Sequence, residues 1–341
     1  MKYKIDHELT KIARLKAPSK IYLYPIVNMG MKLFTCTSDD RVVVKKYVTP
    51  GYENGKLSTF VIKPREHGGI LPCIIFYHGG GFLLKASKAH YQIAKWYAEM
   101  AECKVVFTDY RLLPQNKYPV PVEDCYCTYK WVLDHADMLE IDRNKIIVAG
   151  DSAGGNLSAA VTLMLWDRMQ ILPSGAMLIY PVTDRRMITE SMKEFTDTPV
   201  WDAKLTAMFW KAYLGDQEPE QIQYASPIEA GSLEHFPDAY IEVAEFDSLR
   251  DEGIAFAQRL RSEGVPVELH EVKGACHGFE TALASKIVEK AMQRRIQWIR
   301  SVFFGGAGVD ESEQAKVFGR FYRLERTAHM DTTKWNGLCG W

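Results

Sequence analysis

Apolar residues along the middle of this chain fall in short unbroken runs, separated by stretches whose apolar positions recur at helical spacing. Val42-Val43-Val44 and Leu57 to Ile62 are strand-like runs. The turn formers Pro50-Gly51 and Asn54-Gly55 lie between them and predict an antiparallel hairpin. From Cys73 onward strand and helix alternate. Cys73 to Tyr77 is a strand, and Ser87 to Ala101 a helix with Ile93, Trp96, Tyr97 and Met100 on one side. Val105-Val106-Phe107 is a strand, followed by a helix from Val122 to Ala136 whose Val122, Cys125, Tyr126, Tyr129, Val132 and Leu133 sit at i, i+3, i+4 spacing. Further strands fall at Ile146 to Ala149, Met177 to Tyr180, Tyr240 to Ala244 and Val267 to His270. The helices predicted among and after them run from Leu157 to Trp166, about Arg250 to Arg261 and about Leu283 to Trp298. Continuous apolar strands alternating with helices predict an α/β fold, a mostly parallel central sheet covered by helices on both faces.

Three stretches depart from that rhythm. In residues 1 to 35, Leu9, Ile12, Ala13 and Lys16 have helical spacing that Pro18 and Pro25 interrupt, which predicts one or two short helices. Between Tyr180 and the strand near Asp238 lie 57 residues, far more than a crossover helix needs. They hold Phe195, Trp201, Phe209, Trp210 and Tyr213, and are read as a helical cap inserted over the carboxyl edge of the sheet. An ordinary two-helix crossover is the plainer alternative. After Phe304, Gly305-Gly306-Ala307-Gly308 and an acidic patch set off a tail, 305–341, whose role is open; Val317, Phe318, Phe321 and Leu324 in it could form an amphipathic turn. The expected organisation is one α/β domain over 1–304, with the inserted helices at about 185–225 over its sheet.

Composition narrows the class. Of 341 residues 47% are apolar and 25% charged, and 42 basic against 43 acidic side chains leave a net charge of −1. That balance makes no electrostatic case for nucleic acid or an anionic membrane surface. No run of about 18 apolar residues predicts a membrane span, and the charged start, Met1 to Glu8, lacks the apolar core of a secretory signal. The seven cysteines are odd in number and scattered, and are read as reduced thiols of a cytoplasmic protein. Cys125 and Cys127 lie two apart on a predicted helix, so they point to nearly opposite sides. Core packing for Cys125 is expected there rather than a shared metal.

Chemistry concentrates in four places. Gly150-Asp151-Ser152-Ala153-Gly154 stands between a strand and a helix, the setting in which Gly-x-Ser-x-Gly acts as a nucleophile elbow. Flanking glycines remove side chains that would clash in so sharp a turn. The N–H of Ala153, after the serine, is placed to receive an oxyanion. His78-Gly79-Gly80-Gly81-Phe82 follows another strand, and its three glycines can turn backbone N–H groups towards a ligand, as a tetrahedral acyl-transfer intermediate needs. Glu245 to Gly253 brings Glu245, Asp247, Asp251 and Glu252 to the carboxyl end of a strand, where the sites of open α/β sheets gather. Asp251 and Glu252 fall in the first turn of the next helix and suit its N-terminus, whereas Glu245 competes with Asp247. Cys276-His277-Gly278-Phe279 is the fourth. Ser152, Asp247 and His277 have the chain order of an α/β-hydrolase triad. The remaining histidines have no such setting: His78 is expected to hold its own loop, and His90, His135 and His235 to be surface or structural.

Together these motifs resemble the hormone-sensitive-lipase family of α/β-hydrolases over roughly residues 40 to 300. Tyr110-Arg111-Leu112 with Pro114, Pro121-Val122-Glu123-Asp124 and Tyr180-Pro181-Val182-Thr183-Asp184 are similar to its intervening segments. Ser248 stands where the family usually has proline, and Leu113 and Gln115 replace a common Ala and Glu. The resemblance implies a cofactor-free carboxylic ester hydrolase of short-acyl-chain esters, acid Asp247, oxyanion donors Gly80, Gly81 and Ala153, a cap drawn from about 1–40 as well as 185–225, and frequent homodimers. No cofactor or metal is expected, and a small ester is the expected partner. An amide hydrolase or peptidase could use the same triad. The plant hormone receptor on this fold lacks the histidine, so His277 argues against a pure binding module.

Overall fold

Eight strands form one sheet, flanked by helices that alternate with them along the chain. The computed structural model describes residues 2–216 and 218–305. Three short 3-10 turns and α1 (Tyr24–Met31) precede β1 (Val42–Pro50), β2 (Lys56–Pro64) and β3 (Leu71–Tyr77). Then come α2 (Lys88–Met100), β4 (Lys104–Asp109), α3 (Val120–Asp134), α4 (Ala136–Leu139), β5 (Ile141–Asp151), α5 (Ala153–Asp167) and β6 (Gly175–Ile179). The 181–237 connection carries α6 (Glu190–Glu194) and α7 (Ala203–Leu214). The chain closes its fold with β7 (Ala239–Phe246), α8 (Arg250–Ser262), β8 (Val267–Cys276) and α9 (Lys286–Phe304).

The strand order is β1-β2-β4-β3-β5-β6-β7-β8. β1 with β2 and β2 with β4 are antiparallel, and all pairs from β4 through β3 to β8 are parallel. The apolar runs are explained by burial on both faces. Ile75 of β3 packs into the cluster holding Cys125 and Leu157, whereas its neighbours Ile74 and Phe76 pack into the one holding Tyr97 and Ile296. Each such side chain, fully buried, contributes about 1.5–3 kcal/mol.

The differences from the sequence reading lie at element ends. Pro25 does not break a helix; it occupies the first turn of α1, where its missing N–H costs nothing. α3 likewise starts two residues early, with Pro121 in its first turn, and stops at Asp134. β5 reaches back to Ile141 because Asp142 to Lys145, polar and exposed in part, belong to the strand's outer end. β8 continues past His270 to Cys276; as an edge strand it alternates polar and apolar side chains instead of forming a run. The six described cysteines are free, with Cys125 buried and Cys127 partly exposed. Among the described residues no helix is long and apolar enough to cross a membrane. The tail read from Gly306 onward, with Val317 to Leu324, lies outside the described residues.

Candidate active site

Sheet register brings the motifs together. Tyr77 of β3 pairs with Gly150 of β5, so the glycine loop and the elbow leave adjacent strands at the same edge. Phe246 of β7 pairs with Cys276 of β8, so Asp247 and His277 emerge side by side.

Ser152 turns the chain from β5 into α5 with φ 54° and ψ −118°, a region that L-residues adopt at a cost. The turn is possible only without side chains around it: a Cβ on Gly154 would strike the Tyr77 carbonyl, and one on Gly150 the carbonyl of Gly154. The Ser152 hydroxyl lies 2.9 Å from His277 Nε2, and His277 Nδ1 lies 2.7 Å from Asp247 Oδ2. The other Asp247 oxygen accepts the Leu249 N–H at 3.0 Å. Asp247 is wholly buried, with Ser152 and His277 nearly so. Burial disfavours a charge on His277, but the Asp247 carboxylate outweighs it and holds the imidazole pKa above its ordinary value.

Gly80 and Gly81 have φ of 113° and 61°. Among the described residues neither of their N–H groups meets an acceptor. Ala153, first in α5, has no acceptor one turn back. The loop is held from both sides. Gly79 donates its N–H to Asp151 Oδ1 at 3.0 Å, and a Cβ on Gly81 would collide with the ring of Trp201. His78 is buried and stacks on Tyr110 at 4.5 Å, with its Nδ1 2.8 Å from the Gly79 carbonyl; burial pushes its pKa down to about 4. It holds the loop as a neutral ring.

The four crowded carboxylates separate cleanly. Glu245, the competitor of Asp247, is the penultimate residue of β7 and accepts the Gly274 N–H at 2.7 Å. Asp251 and Glu252 do more than favour a helix N-terminus, correcting the expectation from sequence. Asp251 accepts the Ser191 N–H at 2.7 Å from α6. Glu252 is buried and accepts the N–H groups of Thr183 at 2.7 Å and Asp184 at 3.3 Å.

Sequence reasoning placed Trp201 in the cap but missed several of the site's contacts. His90, expected to be surface or structural, accepts the Ser87 N–H at Nδ1 and lies 3.1 Å from Asp151 Oδ2 through Nε2, so Nε2 carries the proton. The elbow residue Asp151 thus joins α2 to the glycine loop across 61 positions of sequence, a contact no local pattern announces. Tyr180, at φ 32°, sets its ring 4.7 Å from that of His277 and gives its hydroxyl to Glu280. Trp201 lies with its ring 6.2 Å from His277 and its indole N–H on Thr206 at 3.0 Å. These side chains bound a cavity of about 180 Å³ that includes Ser152, His277 and Gly80, and to which Ala17 and Met31 are added from the N-terminal segment. Among the described residues no group of three or more His, Cys, Asp or Glu is placed to hold a metal.

A family model described as alpha/beta hydrolase fold matches residues 74–281, a span holding Ser152, Asp247, His277 and the glycine loop. The chain belongs to that family, in its hormone-sensitive-lipase type. It is 35% identical over 209 residues to Esterase LipI of Mycobacterium tuberculosis, covering 61% of this chain and 65% of that protein. Among solved structures it resembles Bacterial Heroin Esterase, with a TM-score of 0.81, 30% identity, and 88% of this chain and 98% of that one covered. Esterase LipW of Mycobacterium marinum superposes with a TM-score of 0.82 at 28% identity, over 88% of this chain and 96% of that one.

Proposed function

We propose that this protein is a serine carboxylic ester hydrolase acting on small esters with short acyl chains. The observation that carries the reading is the hydrogen-bonded line from Ser152 Oγ through His277 to Asp247, at 2.9 and 2.7 Å, beside N–H groups that meet no acceptor among the described residues. Esterases among the relatives support the same reading. Ser152 Oγ attacks the ester carbonyl while His277 Nε2 takes its proton. His277 then delivers that proton to the leaving alkoxide, and an acyl-Ser152 ester remains. Asp247 fixes the Nδ1–H tautomer and stabilises the imidazolium. Gly80, Gly81 and Ala153 receive the oxyanion, each donor lowering the barrier by about 3–4 kcal/mol where such donors have been removed singly. Water, deprotonated by His277, releases the acid and restores the hydroxyl.

The size of the cavity supports short chains: about 180 Å³ is below the ~300–1,000 Å³ of pockets for drug-sized ligands. We read residues 1–40 and 185–225 as the cap that bounds it, since Trp201, Val200, Ala17 and Met31 all reach its wall. The reading extends to a cytoplasmic protein that needs no cofactor, is able to form homodimers and has no nucleic-acid partner; the free cysteines suit a reducing compartment. A panel of p-nitrophenyl esters of increasing chain length, with the matched anilides, tests it. Each methylene that fits adds about 0.8 kcal/mol to transition-state binding, so kcat/KM should rise to roughly hexanoyl and then fall. A rise that continues through long chains overturns the short-chain reading, and faster turnover of the anilides overturns the ester reading.

A further inference from the structure

Of the fourteen large apolar side chains most exposed among the described residues, six lie between Leu15 and Leu33: Leu15, Tyr22, Ile26, Val27, Met29 and Leu33. Four of them form a pattern. Ile26 and Met29 lie three apart on one face of α1, about 60° from each other at about 100° per residue, and exposed Tyr22, in the 3-10 turn before the helix, and exposed Leu33, just past its end, extend the apolar strip at either end. The opposite face carries Tyr24, Asn28 and Met31. Tyr24 is buried, Asn28 is bonded to the Leu83 carbonyl at 2.7 Å and to the Lys85 N–H at 2.9 Å, and Met31 lines the cavity. The helix is therefore seated by its mixed face and shows its more apolar face to solvent. That is the reverse of an ordinary surface helix, and scattered single exposure does not produce it.

Charge is distributed as unevenly. Residues 1–35 hold seven basic and two acidic side chains, a surplus of five in a chain whose net charge is −1. The near-neutral total concealed this in the sequence reading. Lys11, Arg14, Lys20 and Lys32 are exposed and meet no carboxylate among the described residues. Lys20 and Lys32 flank the two ends of the apolar stripe.

We infer that the outer face of α1, with the lysines around it, docks the protein on a lipid–water interface bearing anionic headgroups. An apolar helix face rimmed by lysines is the pattern that lies in such an interface, with its side chains at the acyl boundary and its cations among the headgroups. The inner face of the same helix lines the cavity, so docking sets the site beside a phase where apolar esters collect. The inference rests on this surface and not on the hydrolase reading, so either can fail without the other.

The test is co-sedimentation of the full chain with phosphatidylcholine vesicles, with and without one third phosphatidylglycerol. It is run at low salt and at roughly 0.5 M salt, where screening is strong. The protein should pellet with the anionic vesicles at low salt and much less with neutral vesicles or at high salt. Ile26→Glu/Met29→Glu should lower partitioning at least tenfold while kcat/KM on a water-soluble ester stays unchanged, which also shows that the variant is folded. Lys20→Glu/Lys32→Glu should lose only the preference for anionic lipid. Wild-type protein that stays in the supernatant, or a double-glutamate variant that pellets like wild type, overturns the inference. A dimer that Ile26→Glu/Met29→Glu converts to monomer, without vesicle binding by either, assigns the face to a second copy. Binding that appears only when 305–341 is deleted assigns it to the tail.

Discussion

Glu245 and Asp247 are two residues apart on one short segment, and only one of them reaches His277. Sequence spacing could not separate them, because the choice depends on where β7 stops. The strand ends at Phe246, so Asp247 leaves the sheet and turns to the imidazole, while Glu245 sits where the pairing with β8 shifts register and its carboxylate accepts the Gly274 N–H there. Asp247→Asn should keep the fold and lower kcat by about 10⁴, as for the corresponding change in a serine protease. Glu245→Gln keeps an oxygen for the Gly274 N–H and should stay within about tenfold of wild type. Steady-state kinetics of the two variants decide the matter, and the reverse ranking would reassign the acid. The protonation of His277 gives a second test. In the proposed mechanism its neutral ring takes the serine proton, and Asp247 holds its pKa above the ordinary value of about 6.5 despite burial. kcat/KM should accordingly fall on the acid side through a pKa above that value, and the limb should move to lower pH in Asp247→Asn. A limb at or below the ordinary histidine range would mean that the carboxylate does not act on the ring as drawn. Of the candidate site residues, Ser152, Asp247 and the glycines were legible because each follows a strand marked by an apolar run, and His277 from its motif and its place in the chain order, since β8 forms no such run. The contacts of His90 and Tyr180 were not, since they join distant segments; Trp201 was legible as a cap aromatic but not in its approach to His277.

At the scale of elements, helix and strand positions were legible wherever both faces of the sheet are covered. β3, β4 and β6 are continuous apolar runs for that reason. Where burial is one-sided or ends early, as in β8 and the first half of β5, the run breaks and the sequence understates the strand. The inserted segment between β6 and β7 was legible as an excess of aromatic residues, but not its attachments. One of these is Glu252 in α8, which binds the backbone just after β6 rather than its own helix end. Burial pushes that carboxyl well above the ordinary range. Glu252→Ala removes the acceptor of two buried N–H groups, and each orphaned group costs about 1–3 kcal/mol. The urea midpoint should drop accordingly, while Glu252→Gln, which keeps the amide oxygen, should remain close to wild type. An alanine variant as stable as wild type would show that the segment is held by other contacts.

For the whole molecule, chain order and alternation led to the fold, and the family match and structural neighbours agree with it. Summed quantities misled: the net charge of −1 averages a basic N-terminal segment against an acidic remainder, and so hid a surface where basic charge and apolar exposure coincide. The central claim is that Ser152 becomes acylated. The measurement that tests it most directly is rapid mixing with p-nitrophenyl acetate, acid quench, and peptide mapping by mass spectrometry. The account predicts a burst of p-nitrophenolate matching the enzyme concentration, an acetyl group on the peptide containing Ser152, and neither in Ser152→Ala. Turnover in Ser152→Ala at a rate near wild type, with no acetyl group found at Ser152 in the wild-type protein, would contradict it.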